Sequence, residues 1–131
     1  MSSVLIVEDN TRFREKLRDS LASRFPTTIF REAVNGKQAF QEINSSKPVF
    51  ICMDIGLGDD NGLELTKEIK NLHPEISIMI LTNYDYSEYR DAAFQNGADF
   101  FLIKGSATIG EIAESLEKVL FSRDKQKSDT S

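Results

Sequence analysis

Val49-Phe50-Ile51-Cys52-Met53-Asp54-Ile55 is apolar, of strand length, and broken by a single carboxylate near its end. A run apolar at successive positions suits a strand buried on both faces, as in a parallel sheet covered by helices. Working outward, Val4-Leu5-Ile6-Val7, Ile76 to Thr82 and Phe100 to Ile103 read the same way. Thr27 to Phe30 is a weaker strand, rich in β-branched residues. Helical segments lie between them. Phe13, Leu17, Leu21 and Phe25 recur every four residues as one stripe, and Pro26 stops it. Gly36 precedes a helix carrying Ala39, Phe40 and Ile43. Leu65, Ile69 and Leu72 mark a third helix, closed by Pro74. The fourth runs from Ser87 to about Asn96 and ends at Gly97, a residue suited to a C-cap. The fifth carries Ile109, Ile112, Ala113, Leu116 and Leu120.

Five strand–helix units in strict alternation predict an α/β fold, a five-stranded parallel sheet doubly wound with helices on both faces. The chain is too short for an eightfold barrel. The 131 residues make one domain, expected over residues 1–121, with a polar tail, frayed from Ser122, over 122–131. Hydrophobic residues at 40% and charged residues at 28% give a globular mix with enough apolar material for a core. The net charge of −5 argues against nucleic-acid binding by this domain, which would call for a basic surface. The one cysteine, Cys52, allows no internal disulfide and reads as a small buried hydrophobe. No apolar run reaches the length of a membrane span, and Met1-Ser2-Ser3-Val4 lacks the charged leader of a signal peptide. A cytoplasmic protein is expected.

Open sheets of this kind bind ligands outside the carboxyl ends of their strands. Those ends carry Glu8 and Asp9, then Asp54, then Thr82, then Lys104. Crowded carboxylates resist full ionisation, and a divalent cation relieves them. Oxygen ligands suit Mg²⁺, and Lys104 adds a compact positive charge for a phosphate oxygen. Together these groups suit phosphoryl transfer, in which catalysis is mostly positioning and charge stabilisation and a carboxylate can be the nucleophile. Each residue alone has a plainer reading: a helix cap, a strand end, a solvated lysine. Their joint occurrence at four strand ends favours the chemistry.

At these residues the sequence resembles the receiver domains of two-component response regulators. The likeness spans Val4 to about Leu120. It rests on Val7-Glu8-Asp9-Asn10, on Met53-Asp54-Ile55 followed by Gly62-Leu63-Glu64, on Leu81-Thr82, and on Gly97-Ala98-Asp99 leading to Phe101-Leu102-Ile103-Lys104. It implies the flavodoxin-like strand order 2-1-3-4-5. It also implies a role for each position. Asp54 would accept the phosphoryl group. Asp9 would bind Mg²⁺ directly and Glu8 through water, with the Gly56 carbonyl as a further ligand. Thr82 and Lys104 would hold phosphoryl oxygens, and Phe101 would be the switch aromatic that moves with Thr82. A histidine kinase or histidine phosphotransfer protein would be the donor, and the face of helix four, strand five and helix five the output surface, by homodimerisation or another contact. The protein would act as a signalling switch that turns over only its own phosphoryl group, not as an enzyme on an external metabolite.

Several positions depart from that pattern. Gly58 stands where a proline is usual and Asn61 where an aspartate is, so residues 56–60 are expected to be a mobile, acidic loop. Gly105 replaces a proline that is often cis, so a trans bond is expected, and receivers that precede certain helix-turn-helix output domains share this feature. Phe101 lacks a tyrosine hydroxyl, which leaves any switch to packing. Asn83 is expected to cover part of the site, and Tyr84 to hinder water that attacks the phosphoryl group. Tyr84, Tyr86 and Tyr89 read either as half-buried packing or as a partner surface. Arg12, Arg14, Glu15 and Arg18 read as a solvated face that also suits kinase docking. His73 reads as a surface residue. Two rivals remain in view. One is a binding module that no longer needs phosphorylation, although none of the key residues is lost. The other is an aspartate-nucleophile hydrolase, which generally needs a second aspartate two residues on, where this chain has Gly56.

Overall fold

The computed structural model describes residues 2–130, and side chains as far as Arg123. The elements are β1 (Ser3–Val7), α1 (Thr11–Arg24), β2 (Ile29–Ala33), α2 (Gly36–Ser45), β3 (Phe50–Met53), β4 (Gly56–Leu57), β5 (Asp60–Asn61), α3 (Gly62–Leu72), β6 (Ser77–Thr82), α4 (Ser87–Gln95), β7 (Phe100–Ile103) and α5 (Ile109–Thr130). The five long strands form one parallel sheet in the order β2-β1-β3-β6-β7, which is the expected 2-1-3-4-5 once the short β4 and β5 are set aside.

Period-two alternation divides the core between the two faces. Leu5, Val7, Ile51, Met53, Ile78 and Ile80 point to one side, where Ala39 and Ile43 of α2, Leu65 and Ile69 of α3 and Ala93 of α4 cover them. Val4, Ile6, Phe50, Cys52, Met79 and Leu81 point to the other and meet Leu17 and Leu21 of α1 and Ile112, Ala113 and Leu116 of α5. Burying one such aliphatic side chain fully contributes about 1.5–3 kcal/mol. Cys52 lies in this second layer, and burial pushes its thiol up to about 12, so it is an inert core residue.

Asparagine side chains start three of the helices. Asn10, Asn35 and Asn61 accept hydrogen bonds from the backbone N–H groups of Phe13, Gln38 and Leu63 at 2.9, 2.9 and 2.8 Å. Thr108 and Glu111 form a reciprocal capping box at the start of α5. Gly97 follows α4 with φ +105, a conformation that glycine takes without strain. The Lys104–Gly105 bond is trans, since no cis peptide occurs among the described residues.

The structure corrects the sequence reading in three places. The second strand is Ile29–Ala33, not Thr27 to Phe30. It is an edge strand, and its polar members are held from neighbouring helices: Arg31 donates to the Glu42 and Ser46 carbonyls of α2 and the residue after it, and Glu32 accepts from Arg14 and Arg18 of α1. Arg14 is therefore not on a solvated face. Its side chain is 11% exposed and also donates to the Glu8 carbonyl at 2.9 Å. The segment expected to be a loose loop closes into the β4–β5 hairpin, with Gly56 opposite Asn61 and Leu57 opposite Asp60. Leu57 is buried there, Gly58 makes the turn at φ +69, and Asp60 accepts from the Gly36 N–H at 2.9 Å. The backbone of α5 runs on to Thr130. Most of the polar tail, residues 124–131, falls outside the described side chains.

Candidate phosphoacceptor cleft

Parallel pairing carries the chemistry-bearing residues to one edge of the sheet. Val7 pairs with Met53, Met53 with Ile80, and Thr82 with Ile103, so the next residues along β1, β3 and β7 come together beside Thr82. The result is an open cleft of about 330 Å³ walled by Glu8, Asp9, Asn10, Asp54, Gly56, Thr82, Asn83, Tyr84 and Lys104. Every residue that the sequence assigned to metal or phosphoryl binding lines it. Phe101 stands apart, buried beneath α4 with the Arg90 guanidinium 5.8 Å from its ring centroid.

Asp54 follows β3 and is 9% exposed. Its Oδ1 accepts the Ile55 N–H at 2.8 Å, and its Oδ2 accepts from the Lys104 ammonium at 3.1 Å. The same ammonium donates to Glu8 Oε1. Glu8 Oε2 takes the Asn10 N–H at 3.2 Å. One lysine thus bridges two buried carboxylates. Thr82 is fully buried, and its Oγ1 accepts the Tyr84 N–H at 3.3 Å.

Charges are out of balance here. Burial pushes Glu8 up to about 7, and the nearby Asp54 charge adds to it, against the pull of the Lys104 and Asn10 hydrogen bonds. For Lys104, burial works to lower its pKa, but the hydrogen bonds to Glu8 and Asp54 prevail and raise it, so it stays cationic. Glu8, Asp9 and Asp54 each offer an oxygen, and these atoms lie within 4.8 Å of one another. An all-oxygen donor set of three carboxylates, two of which share the Lys104 ammonium, fits a hard divalent ion.

Gly62 fixes the geometry from below. A Cβ there would lie 1.9 Å from the Asp54 carbonyl oxygen, and the Gly62 N–H donates to Ile55 O at 2.8 Å. On the other side the Tyr84 ring packs over Gly56, where a Cβ would meet it at 3.3 Å. Tyr84 and Tyr89 rings are 5.4 Å apart and Tyr86 and Tyr89 5.7 Å. Tyr89 is partly buried against the core, while Tyr84 and Tyr86 are 44% and 59% exposed, so both readings of this cluster hold in part. His73 caps the end of α3, 3.9 Å from Glu75. The sequence reading passed over Phe13 and Arg14 as neighbours of the cleft. By spacing one belongs to the apolar stripe of its helix and the other to the solvated side, and only the fold shows them beside Lys104 and Glu8.

A doubly wound parallel sheet with clustered carboxylates, a threonine and a lysine at its carboxyl edge defines the class of phosphoacceptor signalling domains. The chain belongs to that family: residues 4–117 match the response regulator receiver domain. It is 31% identical over 117 residues to the response regulator protein VraR of Staphylococcus saprophyticus, across 88% of this chain and 54% of that protein. The chain therefore spans about half the length of this curated relative. Its fold superposes on a CheY-like receiver domain protein from Methanospirillum hungatei with a TM-score of 0.86, at 22% identity, covering 96% and 98% of the two chains. A response regulator from Burkholderia pseudomallei, crystallised with a phosphorylated aspartic acid, a calcium ion and citrate, superposes at 0.81 with 27% identity, covering all of this chain and 76% of that one. No helix among the described residues is long and apolar enough to cross a membrane.

Proposed function

We propose that Asp54 accepts a phosphoryl group from a phosphohistidine on a histidine kinase or phosphotransfer protein, and that this throws a signalling switch. The observation that carries the reading is the pairing of Asp54 Oδ2 with Lys104 at 3.1 Å, beside Glu8 and Asp9 oxygens placed to share one cation. In the transfer, a carboxylate oxygen of Asp54 attacks phosphorus while the phosphorus–nitrogen bond breaks. The departing imidazole keeps the electron pair and takes a proton. Lys104 and the Thr82 hydroxyl hold phosphoryl oxygens, and water later returns the group as inorganic phosphate. Glu8, Asp9, Asp54 and the Gly56 carbonyl would hold Mg²⁺. Bound there, it would offset the negative charge shared by the carboxylates and the phosphoryl oxygens. The domain acts on its own phosphoryl group and on no external metabolite.

Thr82 and Phe101 form the switch in this reading: Thr82 turns to the new oxygen, and Phe101 adjusts beneath α4. The exposed rings of Tyr86, at the start of α4, and Phe94, within it, would give an output face, by pairing with a second copy or another protein. The switch domain is residues 1–121, with 122–131 as an extension, in a cytoplasmic setting where kinases act. The Burkholderia pseudomallei regulator, with its phosphorylated aspartic acid, supports the acceptor assignment. The test is intact mass after incubation with acetyl phosphate and Mg²⁺. Wild type should gain one phosphoryl group and Asp54→Ala none. No gain by a folded wild type would favour the phosphorylation-independent binding module.

A further inference from the structure

Lys104 has a third neighbour that the transfer chemistry leaves unused. Its ammonium lies 4.4 Å from the centroid of the Phe13 ring, inside the roughly 6 Å over which a ring face attracts a cation. The Lys104 side chain is only 10% exposed, so that attraction acts in a largely dry setting. The backbone that carries the ring is fixed. Asn10 caps the Phe13 N–H at 2.9 Å, and the ring forms one wall of a cavity of about 370 Å³ between α1 and α5, with Leu17, Leu81, Ile109 and Ile112.

We infer that Phe13 is a positioning residue that keeps the Lys104 ammonium at the rim of the Asp54 cleft. The inference rests on the reading of Lys104 as a partner of phosphoryl oxygens. A lysine stem has four flexible carbons and no preferred fork geometry, so something must place its head. Glu8 and Asp54 do so only while their charges are free. A cation shared by Glu8, Asp9 and Asp54 draws on the same oxygens, and phosphorylation changes Asp54 itself. The ring face carries no charge to be neutralised, so its hold on the ammonium persists through these changes. It also shields one side of the lysine from water.

The test uses Phe13→Leu and Phe13→Met, which keep the bulk but lose the ring, and Phe13→Tyr and Phe13→Trp, which keep a ring face. The first readout is NMR of the metal-free, unphosphorylated protein. Lys104 Hε protons should be shifted upfield by the ring in wild type. They should return towards ordinary lysine values in Phe13→Leu and stay shifted in Phe13→Tyr. The second is phosphorylation with acetyl phosphate and Mg²⁺ as donor concentration varies. Phe13→Leu and Phe13→Met should lose at least about fivefold in initial rate at subsaturating donor, with rate restored to within about twofold by a ring. Thermal midpoints identify any variant that fails to fold, in which case its partner of the same type decides. A folded Phe13→Leu or Phe13→Met that phosphorylates like wild type overturns the proposal. So does a Phe13→Tyr and Phe13→Trp pair that fails as the ringless variants do. If wild type itself takes no phosphoryl group, the acceptor reading fails, and the Hε shift still reports whether the ring holds the lysine.

Discussion

Replacing Glu8 by glutamine measures the cost of holding an ionised carboxylate beside Asp54. Glu8 is 3% exposed, and burial pushes its pKa from 4.5 up to about 7. The folded state therefore binds this proton more tightly than the unfolded state, and stability falls as pH rises through that interval. Below about 4.5 the two states are equally protonated, and above about 7 the loss is complete. At about 1.4 kcal/mol per pH unit the interval corresponds to about 3 kcal/mol at most. Glutamine keeps an acceptor for Lys104 but turns an amide towards the Asn10 N–H, which costs about 1 kcal/mol. Metal-free Glu8→Gln should then be about 1–2 kcal/mol more stable than wild type at pH 8 and no more stable at pH 5. Urea titrations in EDTA at intervals from pH 5 to 8 give the difference curve, in which carboxylates remote from the cleft cancel. Lys104 stays protonated throughout and adds no slope. Mg²⁺ held by these carboxylates would compete with the proton, so stabilisation by added Mg²⁺ should grow with pH and be weaker in Glu8→Gln. A difference curve that is flat, or that rises towards low pH, would refute the electrostatic argument.

Two further substitutions probe the walls of the cleft. Gly62→Ala places a methyl group 1.9 Å from the Asp54 carbonyl oxygen, so the unfolding free energy should fall by about 2–3 kcal/mol or more in urea, with phosphorylation impaired; an unchanged midpoint would mean that the backbone there yields easily. Tyr84→Ala uncovers Gly56 and the cleft beside Asp54, and loss of the phosphoryl group, followed by intact mass over time, should quicken about tenfold; an unchanged rate discards Tyr84 as a shield against water.

Central strands buried on both faces are plain in the sequence, because Val4–Val7, Val49–Met53 and Ile78–Leu81 are continuous apolar runs, whereas Phe100–Ile103 is equally apolar although β7 is an edge strand and only partly buried. β2 lies at the edge of the sheet. One flank of an edge strand lacks a neighbour, so Arg31 and Glu32 can sit in it, and their polarity hid the true register by displacing the apparent strand towards Thr27. The β4–β5 hairpin was hidden differently. Two paired residues on each side leave no periodicity to read, and Gly58, one of the glycines that suggest looseness, is the residue that permits the tight turn.

The cleft was legible for a related reason. Its residues follow immediately on the apolar runs, and a parallel sheet aligns all those endings at one edge, so order along the chain is enough to bring Glu8, Asp9, Asp54, Thr82 and Lys104 together. What order cannot convey is which helix side chains reach over that edge. Phe13 belongs to the same four-residue stripe as Leu17 and Leu21, and by spacing alone it is one more core residue of α1. Its place at the first turn of the helix makes the difference: Leu21 is fully buried against the sheet, whereas Phe13, beside the cap at Asn10, stands level with the strand endings and meets Lys104. Arg14 follows the same rule on the adjacent face, reaching the Glu8 carbonyl while binding Glu32. The first turn of α1 thus touches both ends of the Glu8–Lys104 pair. A substitution there should alter the cleft without replacing any of the residues that the strand endings reveal.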